Sequence, residues 1–179
     1  MEDLPDDAYG RITNTQRYAV LHTAAEELVS DLTARFACSV ERGPGGAEHF
    51  PRPHVHPYRY IQFVPDARDA APIVFGFSDF PRIFLRAGAW AFKGFPACGC
   101  DACDEDPEDL IDDLRDVVLA VTERGLAEQI SGRLRSWRST TWTTATRMGS
   151  SREALAGDVA RELRSRPLQP PADGWQPWT

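Results

Sequence analysis

Apolar side chains recur every three or four residues in three segments, the spacing of one face of an α-helix. The first and third segments each begin with capping-box residues, Thr13 with Gln16 and Ser150 with Glu153. The second begins with Asp106-Pro107, an N-cap aspartate followed by a proline at the first helical position. The pattern predicts helices over Thr15–Phe36, from Asp106 to a stop at Gly125, and over Ser151–Arg164, with a short helical segment over Leu126–Ile130.

Aromatic and β-branched residues dominate the segments between the first two helices. Prolines, glycines and acidic residues bound these segments, and the spacers between them are short, which favours antiparallel neighbours. Gly43-Pro44-Gly45-Gly46 is typical of a loop or hairpin connection. The predicted strands are one beginning at Cys38, then Tyr58–Val64, Ile73–Phe80 and Phe84–Phe92, and a later threonine-rich strand within Thr140–Met148.

These elements together predict an α+β fold in which an antiparallel meander sheet packs against about three helices. The chain has 179 residues, which suits one domain, assigned to residues 1–166. Residues 167–179 are predicted to be a tail without regular structure, because prolines recur along it. Trp175 and Trp178 are the side chains expected to hold this tail against the body.

The net charge of −7 limits the classes of partner that are expected. An acidic surface repels the phosphate backbone of nucleic acids and anionic membranes, so neither is expected as the main partner. The N-terminal residues are acidic and lack the basic and apolar regions of a signal peptide, and no apolar run approaches a membrane span. We therefore expect a cytoplasmic protein whose thiols stay reduced.

Three of the four cysteines lie in one short segment, Cys98-Gly99-Cys100-Asp101-Ala102-Cys103. The Cys-x-x-Cys spacing lets two thiolates face one ion, and the glycine lets the backbone turn so that a third thiolate joins them. Zinc is the cation for which such ligands are most typical. The sequence therefore predicts a metal site with Cys98, Cys100 and Cys103 as ligands.

A structural zinc site usually has four protein ligands. The candidates for the fourth are Cys38, one of His49, His54 and His56, or an acid from the loop. Two other interpretations stay open at this stage. The cysteines are either simply reduced loop residues, or a thiol-redox pair that superficially resembles thioredoxin-type motifs, although a meander does not supply that fold's strand-helix-strand crossover.

A run of aspartates and glutamates surrounds these cysteines and continues into the predicted second helix. Nearby negative charge raises thiol pKa values and disfavours a strongly nucleophilic cysteine, but it attracts a divalent cation. The run lacks the glycine and alternating oxygen ligands of an EF-hand. Its simplest role is a solvated helix face, and a further hypothesis is that this acidic helix docks on a basic protein partner.

No other motif indicates a reaction. The Gly-x-Ser-x-Gly and His-Glu-x-x-His motifs of hydrolases and proteases are absent, and the glycines near Gly45 lack the lysine and following helix of a phosphate loop. The preferred hypothesis is a binding or interaction module with a cysteine-based structural metal site. The alternative is a thiol-redox or metal-dependent enzyme, for which the sequence supplies no substrate and no catalytic residues.

The segment Phe95–Asp106, with Tyr9-Gly10-Arg11 and Phe77-Ser78-Asp79-Phe80-Pro81, resembles an actinobacterial family of domains of unknown function. The cysteine signature Phe-Pro-x-Cys-Gly-Cys-Asp-Ala-Cys-Asp-Glu is the specific part of this resemblance. It implies a cytoplasmic bacterial protein and brings no activity, ligand or catalytic residue with it.

Overall fold

The computed structural model describes residues 10–50, 52, 54–132, 136–143 and 148–179. Within these ranges the protein is α+β, with three α-helices, a five-stranded antiparallel sheet and a three-stranded antiparallel sheet. The predicted fold class is therefore confirmed, and the second sheet is an addition to it. The acidic residues 1–7, Tyr9 of the family resemblance and residues 144–147 of the Thr140–Met148 segment lie outside the described residues.

The first two helices agree with their sequence patterns. Helix α1 is Val20–Arg35, preceded by a 3₁₀ turn over Thr15–Ala19, and α2 is Pro107–Leu119, followed by a π-helical turn over Ala120–Arg124. The Asp106 carboxylate accepts the backbone N–H groups of Glu108 and Asp109, as an N-cap does. The predicted Thr13–Gln16 capping box is wrong, because the hydroxyl of Thr13 bonds to Asp101 instead.

The five-stranded sheet is a meander, with its strands in chain order and every neighbour antiparallel. One face carries the main core, where side chains such as Phe63, Phe75 and Phe77 are buried with residues of α1 and α2. A smaller apolar cluster around Phe50 and Phe84 covers residues of the other face. The strands are β1 (Cys38–Pro44), β2 (Arg59–Pro65), β3 (Ile73–Phe77), β4 (Ile83–Ala87) and β5 (Ala91–Phe95).

The predicted single strand over Phe84–Phe92 is wrong. The alternation continues through this segment, but the chain reverses at Gly88, whose φ is +60°, so that Ala87 pairs with Ala91. Positive φ is a glycine conformation, and a glycine inside a strand pattern is a sign of such a break. Two strands, β4 and β5, therefore replace the one expected.

The first and last strands of the second sheet contain residues predicted to be helix, whereas its middle strand contains Thr140–Thr143 of the predicted threonine-rich strand. The Leu126–Ile130 segment is strand rather than helix, because Gly125 at φ +84° ends the preceding turn and Leu126 exchanges backbone hydrogen bonds with Trp175. The third helix begins later than its pattern indicates, since β8 occupies the residues before it and Glu153 pairs with Arg138. The elements are β6 (Leu126–Ser131), β7 (Ser136–Thr143), β8 (Met148–Leu155) and α3 (Gly157–Ser165).

The C-terminal residues pack against the body through their tryptophans. Trp175 and Trp178 are 4% and 5% exposed, and the indole N–H of Trp178 donates to the carbonyl of Ala71 at 2.9 Å. The division into a 1–166 domain and a 167–179 tail stays a prediction. In the described part of the chain, none of the helices has the length and apolar character needed to cross a bilayer.

Candidate metal centre

The three cysteines lie in the loop that connects β5 to α2. Gly99 stands between the first two at φ +80°, and a Cβ atom there would come within 2.7 Å of the Phe80 ring. Glycine is thus required both by the backbone conformation and by the close approach of the aromatic ring. The turn at Gly99 brings Cys98 and Cys100 to the same side of the loop.

The Sγ atoms of Cys98, Cys100 and Cys103 all lie within 4.8 Å of one another. Cys98 and Cys103 are exposed, whereas Cys100 is 3% exposed, and all three are free thiols. Two sulfur ligands of a tetrahedral zinc ion are about 3.8 Å apart, given Zn–S bonds of about 2.3 Å. The three sulfur atoms therefore need to move together only slightly to share one ion.

Glu105 fixes the first half of the loop. Its carboxylate accepts the backbone N–H groups of three consecutive residues, Ala97 at 2.9 Å, Cys98 at 3.0 Å and Gly99 at 2.9 Å. Partial burial opposes ionisation of this group, but the three amide donors prevail and lower the pKa of Glu105. An ionised Glu105 therefore holds the turn that carries Cys98.

Arg82, at the start of β4, supports the same turn from the sheet. Its Nη2 donates to the carbonyl of Cys98 at 2.6 Å, and its guanidinium lies 5.1 Å from the centre of the Phe80 ring. Burial lowers the pKa of Arg82, but an arginine stays charged at neutral pH. A half-buried positive charge is therefore placed beside the thiols.

The segment before α1 closes the other side of the loop. The Asp101 carboxylate accepts the Nε–H of Arg11 at 2.9 Å and the backbone N–H of Thr13 at 2.9 Å, and the amide of Asp101 donates to the carbonyl of Arg11 at 2.8 Å. Arg17 pairs with Asp104 at 2.6 Å. The amide of Thr13 and the guanidinium of Arg11 lower the pKa of Asp101. The acids that flank the cysteines are therefore paired with donors.

Hydrogen bonds within and around the cluster set the pKa values of the thiols. The sequence predicts raised thiol pKa values, but the backbone N–H of Gly10, together with the Cys98 thiol and the amide of Cys103, lowers the pKa of Cys100 to about 6. Donation to Cys100 and Cys98 raises the pKa of Cys103 to about 12. Hydrogen bonds within the cluster thus make Cys100 the more acidic thiol and Cys103 the less acidic one. The rise in thiol pKa that the acidic run predicts is found at Cys103 and not at Cys100.

Cys38 cannot be the fourth ligand. It begins β1, whereas Cys98 follows β5, and the order of the sheet puts these strands at opposite edges, about 19 Å apart. The two cysteines also lie at opposite ends of the strands. Cys38 starts β1 at the end of the sheet where it pairs with Pro65, and Cys98 follows Phe95, which pairs with Ile83 at the other end.

The histidines named as fourth ligands also lie apart from the thiols. His49 packs on Tyr60 with ring centres 4.2 Å apart, and His54 and His56 are exposed. Among the described histidine, cysteine and acidic side chains, the group that the structure brings together consists of the three cysteines. A metal ion bound here would have a fourth position open to water or to another ligand.

A family model matches the whole chain, residues 1–179. The chain belongs to DUF6226, a family of unknown function. No curated protein and no solved structure matches it. The predicted membership of a family of unknown function is therefore confirmed, and DUF6226 brings no named ligand or reaction to the cysteine loop.

The supporting residues of this DUF6226 loop are the part that sequence reasoning missed. Glu105 stands in a run of acids that look alike in sequence, although it alone accepts the three amides before it. Arg82 lies 16 residues before the Cys98 carbonyl that it contacts, and no spacing rule connects them. One local feature of the sequence could have indicated an acceptor such as Glu105. A glycine between two cysteines indicates a tight turn whose amides are free to bind an acceptor.

Proposed function

We propose that this DUF6226 protein is a metal-binding domain in which Cys98, Cys100 and Cys103 hold a zinc ion, and that the domain acts as a binding or interaction module. The observation that carries the proposal is the proximity of the three Sγ atoms, all within 4.8 Å of one another in one loop. Hydrogen bonds lower the pKa of the Cys100 thiol, which favours the thiolate form that zinc binds.

The charges around the thiols favour such an ion. Three thiolates and one zinc ion carry a single net negative charge, which the Arg82 guanidinium and the amides of the loop offset. Asp101 and Asp104, which would otherwise repel the thiolates, are paired with Arg11 and Arg17. Donors around sulfur and around loop carboxylates are the outer contacts that typically orient metal ligands.

The open fourth position suggests how the domain binds a partner. A polar cavity of about 250 Å³ is lined by Gly99, Asp101 and Asp104 of the cysteine loop and by Thr13, Asn14 and Arg17. A donor group of a ligand or partner protein that enters here would approach the loop that carries the thiols. With zinc bound, the open position supplies Lewis-acid chemistry, which is how a metal-dependent enzyme would use the same residues.

A second candidate function is thiol–disulfide exchange, and the lowered pKa of Cys100 favours it. In this alternative the Cys100 thiolate attacks an external disulfide, which releases one thiolate of that disulfide. Cys98 or Cys103 then displaces the mixed disulfide and leaves a disulfide within the loop. The external disulfide is reduced and the protein is oxidised.

The source, location and partner of the protein are part of the same proposal. We infer an acidic, cytoplasmic actinobacterial protein, because the net charge is −7, the cysteine signature resembles that of an actinobacterial family and the four cysteines are free. A basic protein partner suits α2, whose exposed face carries Glu108, Asp109 and Asp112. Nucleic acid and membrane surfaces do not suit this charge.

The test is metal analysis of protein purified without a His-tag and without chelator, combined with thiol titration before and after a zinc chelator. The proposal predicts close to one zinc per chain and three further reactive thiols after chelation. Cys98→Ser, Cys100→Ser and Cys103→Ser should each lower the zinc content, and Cys38→Ser, a matched control, should not.

Protein that contains no metal, titrates four thiols freely and does not bind added zinc would contradict the metal site. Redox titration in glutathione buffers then decides the second candidate. A loop disulfide that forms in wild-type protein and in Cys38→Ser, but not in Cys100→Ser, would support thiol–disulfide exchange.

A further inference from the structure

A cavity of about 620 Å³ lies between strand β6 and the residues that follow α3. Residues of β6 and β7 form one wall, and Arg164 with the segment 169–174 forms the opposite wall. Its volume is within the range of roughly 300–1,000 Å³ that is usual for ligand pockets. The residues that line it do not belong to the cysteine loop.

Strand β6 presents an open edge to this cavity. Leu126 exchanges two backbone hydrogen bonds with Trp175, at 3.2 Å and 2.7 Å, so its N–H and C=O point away from β7. Backbone groups alternate in direction along an antiparallel strand, so those of Glu128 and Ile130 point away from β7 as well. Both residues line the cavity, and their outward groups have no backbone partner within the described part of the chain.

The sequence explains why the C-terminal residues leave this edge open. If the pairing that begins at Trp175 continued along β6, Pro171 would lie opposite Ile130, where a pair needs an N–H that proline lacks. The chain turns instead, with the amide of Gly174 donating to the carbonyl of Pro171 at 3.0 Å and with Gly174 at φ +81°. The ladder on β6 is therefore interrupted, and the cavity lies beside the positions where it would continue.

The cavity is also lined by a residue with an unused donor. Trp90 is 2% exposed, and its indole N–H makes no hydrogen bond among the residues that the structure describes. Leaving a buried N–H without an acceptor is unfavourable. A ligand that supplies an acceptor to this group would therefore gain a hydrogen bond that the protein does not make by itself.

The charges of the wall do not select a charged ligand. The charged side chains among the lining residues are Glu128, Arg164 and Asp173. The Glu128 carboxylate already accepts four N–H groups, and Arg164 and Asp173 are exposed and opposite in charge. The ligand that suits this wall is neutral and carries donors and acceptors in a row, as an extended peptide backbone does.

We propose that this cavity binds an uncharged, extended peptide segment as an added strand on β6. The backbone of the peptide pairs with the outward groups of Glu128 and Ile130, and one of its carbonyls accepts the indole N–H of Trp90. Two residues of strand span about 7 Å, so three or four peptide residues cover this edge. The inference does not depend on the proposed metal site, and Cys100→Ser should bind the peptide as wild type does.

The test compares two peptides of the same composition, tetra-alanine and tetra-sarcosine, each with acetyl and amide caps. Sarcosine is an isomer of alanine with a methyl group on its nitrogen, so the second peptide cannot donate to β6. Binding to the full chain is followed in ¹⁵N-labelled protein. Tetra-alanine should bind in the millimolar range that suits a small ligand, and it should shift the N–H signals of Glu128 and Ile130 more than that of Gln129, which faces β7.

Equal binding of the two peptides, no binding of either, or shifts that avoid β6 would overturn the proposal. Maltotetraose and acetate serve as further probes, the first neutral and rich in hydroxyl groups, the second an anion. Binding of either one in this cavity without binding of tetra-alanine would assign the site to another class of ligand and would also overturn the proposal.

Variants locate the peptide. Trp90→Phe removes the unused N–H and keeps an aromatic ring, so it should weaken tetra-alanine binding about two- to tenfold. Trp142→Phe, outside this cavity, is the matched control and should leave the affinity unchanged. Ala172→Trp, at an exposed position of the wall, should abolish binding by filling the cavity.

Because Ala172 is exposed, this filling variant keeps the test decisive if Trp90→Phe does not fold. Wild-type affinity in folded Ala172→Trp, or equal effects of the two tryptophan variants, would contradict the proposed position.

Discussion

Two glutamates in this protein accept backbone hydrogen bonds in the same way but have different roles. Glu105 accepts the amides of Ala97, Cys98 and Gly99, and Glu128 accepts those of Ala89, Trp90 and Ala91. Each carboxylate thus holds three consecutive N–H groups of a turn. The turn at Glu105 precedes a helix and carries thiols, whereas the turn at Glu128 joins β4 to β5.

The two carboxylates differ in their burial and in how far along the chain they lie from the amides that they accept. Glu128 is 5% exposed, comes from β6, and also accepts the indole N–H of Trp175 at 2.7 Å, so it joins a hairpin, the second sheet and the C-terminal residues. Burial raises the pKa of Glu128 despite four donors, whereas the amides prevail over partial burial and lower the pKa of Glu105. The buried contact of Glu128 assembles the fold, and the half-buried contact of Glu105 holds the cysteine loop.

The largest expected effect is on stability. Glu128→Ala leaves four N–H groups, three of them in buried contacts, without their acceptor, and such a loss costs about 3–5 kcal/mol of unfolding free energy. Urea unfolding monitored by tryptophan fluorescence measures it, with the exposed Glu108→Ala as control. A loss below about 1 kcal/mol would show that water or a neighbouring group replaces the carboxylate and would remove the contrast between the two glutamates.

Glu105→Ala should lower the free energy of unfolding by less, about 1 kcal/mol, because the amides that Glu105 accepts are close to solvent. Its main effect should appear in zinc affinity, which we expect to fall about 10- to 100-fold as the turn that carries Cys98 loosens. Competition with a chromophoric chelator measures this affinity. Glu128→Gln, in protein shown to be folded, is the comparison and should keep wild-type affinity, and an equal loss in both variants would contradict the separation of roles.

The pH dependence of stability should have opposite signs for the two residues. Both start from an ordinary pKa of 4.5 in the unfolded chain. The lowered pKa of Glu105 contributes stability above pH 4.5 that is lost as the pH falls through its folded value, and the raised pKa of Glu128 contributes stability below pH 4.5 that is lost as the pH rises.

Urea unfolding between pH 3 and pH 7 tests this reversal. The destabilisation caused by Glu105→Gln should shrink toward low pH, and that caused by Glu128→Gln should shrink toward neutral pH. Parallel profiles for the two variants would mean that burial does not separate the two carboxylates.

The smallest expected effect concerns the segment that covers the cysteine loop. Asp101→Asn weakens the contacts with Arg11 and Thr13, so trypsin should cleave after Arg11 severalfold faster than in wild type. Mass spectrometry of timed digests measures the rate, and Asp109→Asn is the exposed control. Unchanged cleavage would mean that the remaining backbone contact, from the Asp101 amide to the Arg11 carbonyl, holds the segment by itself.

Local signals explain what could be predicted from the sequence. The start of α2 was predictable because Asp106 caps the N–H groups of Glu108 and Asp109, two and three residues away. The three cysteines came together for the same reason, since their spacing is that of one turn. Strand β6 was mistaken for helix although β7 follows it directly, because the backbone partner of Leu126 at its start is Trp175, which is distant in sequence.

The residues around the thiols follow the same rule. The pKa of Cys100 depends on the Gly10 amide, far away in the chain, and the surrounding acids are compensated by Arg11 and Arg17 from the same distant segment. Composition alone shows the acids and not their partners. The direction of the thiol pKa shift was therefore predicted correctly for Cys103 and wrongly for Cys100. The role of the three cysteines as metal ligands stays a prediction.

In the proposed site a zinc ion is held by three sulfur ligands and by one further ligand that is not a cysteine of the chain. Zinc-edge X-ray absorption on zinc-loaded protein tests it most directly. We predict three sulfur neighbours at about 2.3 Å and one oxygen or nitrogen neighbour, unchanged in Cys38→Ser. Four sulfur neighbours, or a shell of oxygen and nitrogen without sulfur, would contradict a site with three sulfur ligands.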